Sequence, residues 1–270
     1  MSIENITYVV YSHSSYHDVL EIQTEYLKDY KDKVLLINKT ENPPEWYDSY
    51  KGILYYDDSL PYAGRLLTLK ELSDEHILLT HDMDVVIEKN DIAISNILRT
   101  MIEEDIDRVD LQWRDLDTSG NEFNPNTNRI KVDDFLLIKQ ENVNGHMFNL
   151  NPSIWKLSSL LDVMDNFKNE GYRTIEEVTQ EYCLKFDIYK PSCDTYFDCG
   201  YMQCNDIYQF LHLTRGGKWL AKNGDGRRLD IKFIKEYKKI IINFNLNNGK
   251  RQFRGDGNRI GHPFFKKINK

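Results

Sequence analysis

No apolar run in the 270 residues approaches the roughly 20 that a helix needs to cross a bilayer. The first residues, Met1-Ser2-Ile3-Glu4-Asn5, also lack the basic and apolar regions of a secretory leader, so a cytoplasmic protein is expected. Cysteine is scarce. Cys183, Cys193, Cys199 and Cys204 include no Cys-x-x-Cys pair, which favours reduced thiols over zinc or disulfides. An excess of positive charge is missing too. A net charge of −8 repels a phosphate backbone, and no nucleic-acid partner is expected. Internal repeats and low-complexity segments are absent. What remains, 40% hydrophobic and 29% charged, is the balance of a soluble globular chain long enough to bury a substantial core.

The apolar residues that are present alternate between two periods. Ile6 to Tyr11, Val34 to Ile37, Ile53 to Tyr56 and Ile77 to Thr80 are short continuous runs that read as buried strands. Between them, His17 to Tyr30 carries apolar residues at helical spacing, and Ser59-Leu60-Pro61 introduces a helix from about Tyr62 to Leu72. Alternation with short connections is the pattern of a parallel, doubly wound sheet. A helix over Asp91 to Glu104 and a strand over Val109 to Trp113 follow, then a loop rich in Asp, Asn, Ser and Gly from Asp115 to Asn128. Phe135 to Ile138 and Met147 to Leu150 read as strands, and Pro152 suits the first turn of a helix reaching Phe167. Thr174 and Glu177 have the spacing of a capping box. Tyr208 to Leu213 reads as a late strand, Arg215 to Trp219 as a glycine turn, and Asp230 to Lys239 as a helix.

One stretch carries chemistry. The apolar run Ile77-Leu78-Leu79-Thr80 ends in His81-Asp82-Met83-Asp84. In open α/β sheets ligands collect beyond the carboxyl ends of such strands. Two extended residues span roughly 7 Å with alternate side chains on one side, so Asp82 and Asp84 are expected to converge on one cation while His81 points away. The same spacing occurs at Asp105/Asp107 and Asp115/Asp117. Only Asp82/Asp84 closes an all-apolar strand after three strand–helix alternations, which sets it apart from a solvated surface pair.

This order resembles that of the GT-A glycosyltransferases: a nucleotide-binding α/β half, Asp-x-Asp, then a half with an acidic helix start (Glu176, Glu177) and Gly216-Gly217-Lys218-Trp219. The chain is similar to small bacterial and viral enzymes that build surface glycans, over most of residues 1–220. The resemblance implies a single α/β domain, a GT-A-like Rossmann-type mixed sheet, mostly parallel and flanked by helices. Residues 1–112 would form the donor half, 113–242 the acceptor half and 243–270 a basic tail, either a solvated end or a patch that touches an anionic membrane surface. It further implies metal-dependent transfer of a hexosyl or deoxyhexosyl unit from a UDP-, GDP- or TDP-sugar to a glycan or glycolipid hydroxyl. Asp84 would ligate Mn²⁺ or Mg²⁺, with Asp82 on the ribose or a metal-bound water and His212 as a further ligand. His212 could equally be a structural histidine.

Glu177, with Glu176 beside it, is the candidate general base of an inverting enzyme, a cap being the alternative. Tyr11, Ser12, His13, Asp57 and Arg65 are placed around the nucleotide, and Gly217 and Lys218 at the diphosphate. Trp113, Trp155 and Trp219 are core candidates, any of which could stack on an acceptor sugar. A nucleotidyltransferase or sugar-phosphate enzyme is the rival. It would usually carry a glycine-rich basic loop after the first strand, where Tyr11-Ser12-His13-Ser14-Ser15 has neither glycine nor Lys or Arg. A non-catalytic nucleotide- or carbohydrate-binding protein on the same fold is the second, and the presence of both aspartates counts against it.

Overall fold

The computed structural model describes residues 6–112, 128–141, 147–192, 196–199, 203–215, 218–220, 230–246, 251 and 253–254. Four apolar strands open the chain: β1 (Thr7–Tyr11), β2 (Lys33–Asn38), β3 (Gly52–Tyr56) and β4 (His76–His81). They lie parallel in the spatial order β3-β2-β1-β4. Helix α1 (His17–Tyr26) links the first pair, and α2 (Tyr62–Leu66), prolonged by a 3₁₀ turn to Glu71, precedes β4. The helix expected to reach Tyr30 stops at Tyr26. The next residues turn so that the carbonyls of Leu27 and Tyr30 receive the buried Lys33 ammonium at 3.1 and 3.2 Å.

After β4 the chain turns at Asp82-Met83 into β5 (Asp84–Lys89), a strand not anticipated from the sequence, and then into α3 (Asp91–Glu103), whose first turn is capped by the Asn90 side chain. Next come β6 (Arg108–Asp110) and the hairpin of β7 (Arg129–Val132) with β8 (Phe135–Lys139). Its two-residue turn places Asp133 at φ 46°, which aspartate tolerates. Then follow β9 (Ser153–Lys156), α4 (Leu157–Asn166), α5 (Ile175–Val178) and β10 (Ile188–Ser192). The chain closes with β11 (Tyr196–Asp198), β12 (Gln203–Asn205), β13 (Tyr208–His212), β14 (Thr214–Arg215), β15 (Lys218–Leu220), α6 (Ile231–Asn243) and β16 (Phe253–Arg254).

One nine-stranded sheet, ordered β3-β2-β1-β4-β9-β6-β10-β8-β7, draws on both halves of the chain. Only β9 and β8 run against the common direction, so the sheet is mixed but mostly parallel. The pleat sorts side chains onto two cores. Tyr8, Val10, Leu35 and Ile37 face α1, α3 and α6, whereas Val9, Tyr11, Leu36, Ile77 and Leu79 face α2 and α4.

Residues 147–167 depart from expectation. Met147 to Leu150 is no strand, and Pro152 starts no helix: β9 occupies the slot between β4 and β6, and the helix begins only at Leu157. The backbone of 147–150 is satisfied by side chains instead. Gln180 Oε1 accepts from the N–H of Met147 and Phe148, Glu176 Oε1 accepts from Leu150, and Arg108 donates to the carbonyls of Met147 and Asn149. The capping box is also unformed, since Thr174 makes no side-chain cap bond and its hydroxyl donates to Glu170. Trp113, Asp115/Asp117 and all of the expected loop Asp115 to Asn128 except Asn128 lie outside the described residues.

Candidate active site

Strand order reverses at β1: β2 and β3 lie on one side of it, β4 on the other. Crevices beyond the carboxyl ends at such a switch point are where ligands bind in open α/β sheets. The register pairs Tyr11 with His81, so residues 12 and 82 emerge side by side. Asp82 N–H donates to the Tyr11 carbonyl at 3.0 Å, and Ser12 Oγ donates to Asp82 Oδ2 at 2.5 Å. Asp82 is only 4% exposed. Burial pushes its carboxyl up to about 7; the Ser12 bond pulls the other way and the charge of Asp84 adds to the rise.

Asp84 is reached by a turn rather than by an extended chain, which corrects the expected geometry of the pair. It opens β5 and sits opposite His212 of β13, whose Nδ1 donates to Asp84 Oδ1 at 2.6 Å. Leu213 N–H adds a bond to the Met83 carbonyl at 2.8 Å, so β13 clamps both sides of the turn. Here His212 is the hydrogen-bond partner that orients Asp84. Among the described residues no three His, Cys, Asp or Glu side chains converge closely enough to hold an ion by themselves. Two buried carboxylates still suit a hard divalent cation whose remaining ligands come from substrate oxygens and water.

On the β3 side of this pair lies a ring of polar groups. His13 Nε2 meets the Asp58 carboxylate at 3.2 Å, and its Nδ1 accepts from Ser15 N–H at 3.0 Å. Arg65 donates to the carbonyls of Leu60 and Asp58, pairs with Asp58 Oδ1 at 3.1 Å and reaches Tyr11 Oη at 3.5 Å. Its guanidinium stands 5.1 Å above the Tyr56 ring, which itself stacks on Tyr11. Asp57 is exposed and closes a local turn with Ser59, so its neighbour Asp58 is the carboxylate that faces this ring.

Continuous with this ring through Tyr11 and α2, the rings of Tyr11, Tyr62, His81 and Tyr172 pack one on another. His81 joins this cluster through a 2.8 Å bond to the Tyr62 hydroxyl, and burial lowers its pKa to about 4. Tyr172, not singled out from the sequence, also brings its hydroxyl 3.8 Å from Met83 Sδ. Glu176 is half-buried with Oε1 held by Leu150 N–H at 2.7 Å, and its charge acts on both Tyr62 and Tyr172. Glu177 is exposed.

Trp155 and Trp219 are buried, and Lys218 is exposed on β15. Gly217 lies outside the described residues. From the basic tail, Arg251 folds back onto the start of α1. It pairs with Asp18 at 2.8 and 2.9 Å, lies 4.4 Å from the Tyr16 ring, and lowers the Asp82 carboxyl electrostatically. A purely solvated tail therefore does not describe this residue. Two strands from β4, β6 runs in the same direction and ends in Asp110. Asp110 accepts from Asn149 Nδ2 at 2.6 Å and Gln112 N–H at 3.0 Å and pairs with Lys190 at 3.3 Å.

No family model matches the chain, and no curated protein matches it. Among solved structures it is similar to S. aureus TarS 1-349 in complex with UDP-GlcNAc: 10% identity over 93% of this chain and 68% of that one, TM-score 0.41. In a second TarS 1-349 structure the chain spans 59% of its counterpart. UDP-glucose pyrophosphorylase complexed with UDP-glucose aligns at 7% identity over 76% and 91%, TM-score 0.42. The galactosyltransferase LgtC with donor and acceptor sugar analogs aligns at 10% over 68% and 72%, TM-score 0.36. Likeness of this degree decides nothing about chemistry.

Proposed function

We propose that this chain is a metal-dependent glycosyltransferase that moves a sugar from a nucleoside diphosphate sugar to a hydroxyl of a carbohydrate or glycolipid. The observation that carries the reading is the buried carboxylate pair at the switch point, Asp82 bridged to β1 by Ser12 and Asp84 oriented by β13 through His212. Neither aspartate has a lysine or arginine of its own among the bonds described, which suits a site kept for a divalent cation. When bound there, Mn²⁺ or Mg²⁺ would neutralise charge on the leaving diphosphate.

The chain's own residues do the rest. Tyr11, His13, Asp58 and Arg65 line the nucleoside side, with Arg65 as the fixed positive charge. Lys218 and Arg251 are the candidate cations for the diphosphate, Arg251 because its charge acts on Asp82. In an inverting transfer the acceptor oxygen attacks the anomeric carbon, and the bond from that carbon to the diphosphate oxygen breaks with its electron pair. The hydroxyl proton passes to a carboxylate. Glu176 fits that task better than Glu177, because it lies toward the aromatic cluster beside the aspartates with one oxygen held by Leu150.

Thermal unfolding with UDP-, GDP- and TDP-sugars, each with and without Mn²⁺, tests the reading. A donor at a hundred times its Kd should raise Tm by roughly 5–10 °C, and only with the metal. Asp84→Ala should retain the wild-type circular dichroism and lose about a hundredfold or more in turnover. No shift with any donor would overturn the proposal.

A further inference from the structure

Tyr172 is a large aromatic left 42% exposed beside a site whose other rings are covered. It belongs to the loop between α4 and α5, one ring further from the nucleoside side than Tyr62: Tyr11 to Tyr62 is 5.0 Å and Tyr62 to Tyr172 is 5.3 Å between centroids. Its ring stands nearly perpendicular to those of Tyr62 and His81, at 88° and 82°. Anchored on two rings and on Met83, the phenol is fixed in place while part of its surface faces solvent. Gly171 precedes it, and a side chain there would meet nothing within 4 Å.

We propose that Tyr172 is the platform on which a neutral pyranose ring of the acceptor stacks, with Glu176 accepting hydrogen bonds from its hydroxyls. This rests on the glycosyltransferase reading and adds the class of acceptor. The axial C–H groups of a pyranose carry partial positive charge and suit the negative face of an aromatic ring. Its hydroxyls are donors, and Glu176, the carboxylate acting on Tyr172 that lies outside the proposed metal pair, is an acceptor. An anionic acceptor would meet Glu176 and the donor's own diphosphate, both of its own sign. The position is also right: Tyr172 ends the row of rings that starts at Tyr11, and its hydroxyl touches Met83 between the two aspartates, so a sugar on this ring lies beside the carboxylate turn.

Saturation-transfer NMR tests it directly, using methyl glycosides of glucose, galactose and N-acetylglucosamine, with glycerol 3-phosphate as the anionic probe. At least one glycoside should receive saturation on its ring protons, and glycerol 3-phosphate none. Tyr172→Ala should weaken that glycoside roughly tenfold, and Tyr172→Trp, which keeps an aromatic face, should recover most of the loss. Binding of no glycoside, preference for glycerol 3-phosphate, or an unchanged signal in Tyr172→Ala would each overturn the platform. Calorimetry of nucleotide-sugar binding to the same samples reads the underlying function separately. Donor binding intact in Tyr172→Ala alongside lost glycoside binding isolates the acceptor site, whereas absent donor binding in the wild type defeats the transferase reading alone.

Discussion

Asp82 and Asp110 make an instructive pair. Both end parallel strands on the same edge of one sheet, both are nearly or fully buried, and their carboxyls are shifted in opposite directions. Burial raises Asp82, and a serine hydroxyl is its closest side-chain partner. Burial also works on Asp110, but Lys190, Arg108, Asn149 and the Gln112 N–H outweigh it and hold the carboxyl below its usual range. Asp110 has its counter-charge built in and pins the 147–151 loop. Asp82 lacks that neutralisation, and the fold bears the cost of keeping a carboxylate there. Local stability has been given up at the residue that we propose takes part in ligand binding.

The sharpest test of this contrast is Asp110→Asn. It removes the buried carboxylate that faces Lys190 and Arg108, and should cost about 3–5 kcal/mol, a fall in Tm of about 10 °C by calorimetry. The sign with pH follows. The folded pKa of Asp110 lies below its unfolded value, so its stabilisation is complete above the ordinary carboxyl value of 3.8 and is lost as pH falls through the folded value. Acid unfolding curves of wild type and Asp110→Asn should therefore converge below that pH. If they stay parallel, the Lys190 pairing is not what stabilises Asp110.

Asp82→Asn should move the other way. An amide keeps an acceptor for Ser12 and removes a buried charge, so without metal Tm should rise by about 2–5 °C while nucleotide-sugar binding weakens. A fall in Tm would show that the carboxylate is already well neutralised. Ser12→Ala is the smallest of the three, about 1 kcal/mol, and a cycle with Asp82→Asn should give a coupling of similar size. Zero coupling would remove Ser12 from the account of Asp82.

The first four strands and the helices around them were legible because each strand is a short continuous apolar run bounded by polar turns. The turn at Asp82-Met83 was not. Val85-Val86-Ile87 was given no element of its own, because only β13, far along the chain, pairs with it. Residues 147–156 were misread for a related reason: Pro152 is a good local helix start, but the gap between β4 and β6 demands a strand. Of the site, the aspartates, Ser12, His13, Arg65, His212 and Glu176 were identifiable by type and position. Tyr172 and Arg251 were not, because only tertiary packing brings a loop tyrosine and a tail arginine to the same edge.

Asp84 and His212 lie 128 positions apart, yet they face each other across a two-stranded ladder that is separate from the main sheet. A chain emerging from the ribosome thus carries both aspartates long before the strand that orients Asp84 has been made. Closing so long a loop comes after the local strand–helix units have collapsed. The ability to hold ligand would arrive in one step, with the docking of β13. Until then, the nascent N-terminal half has the carboxylates but no grip.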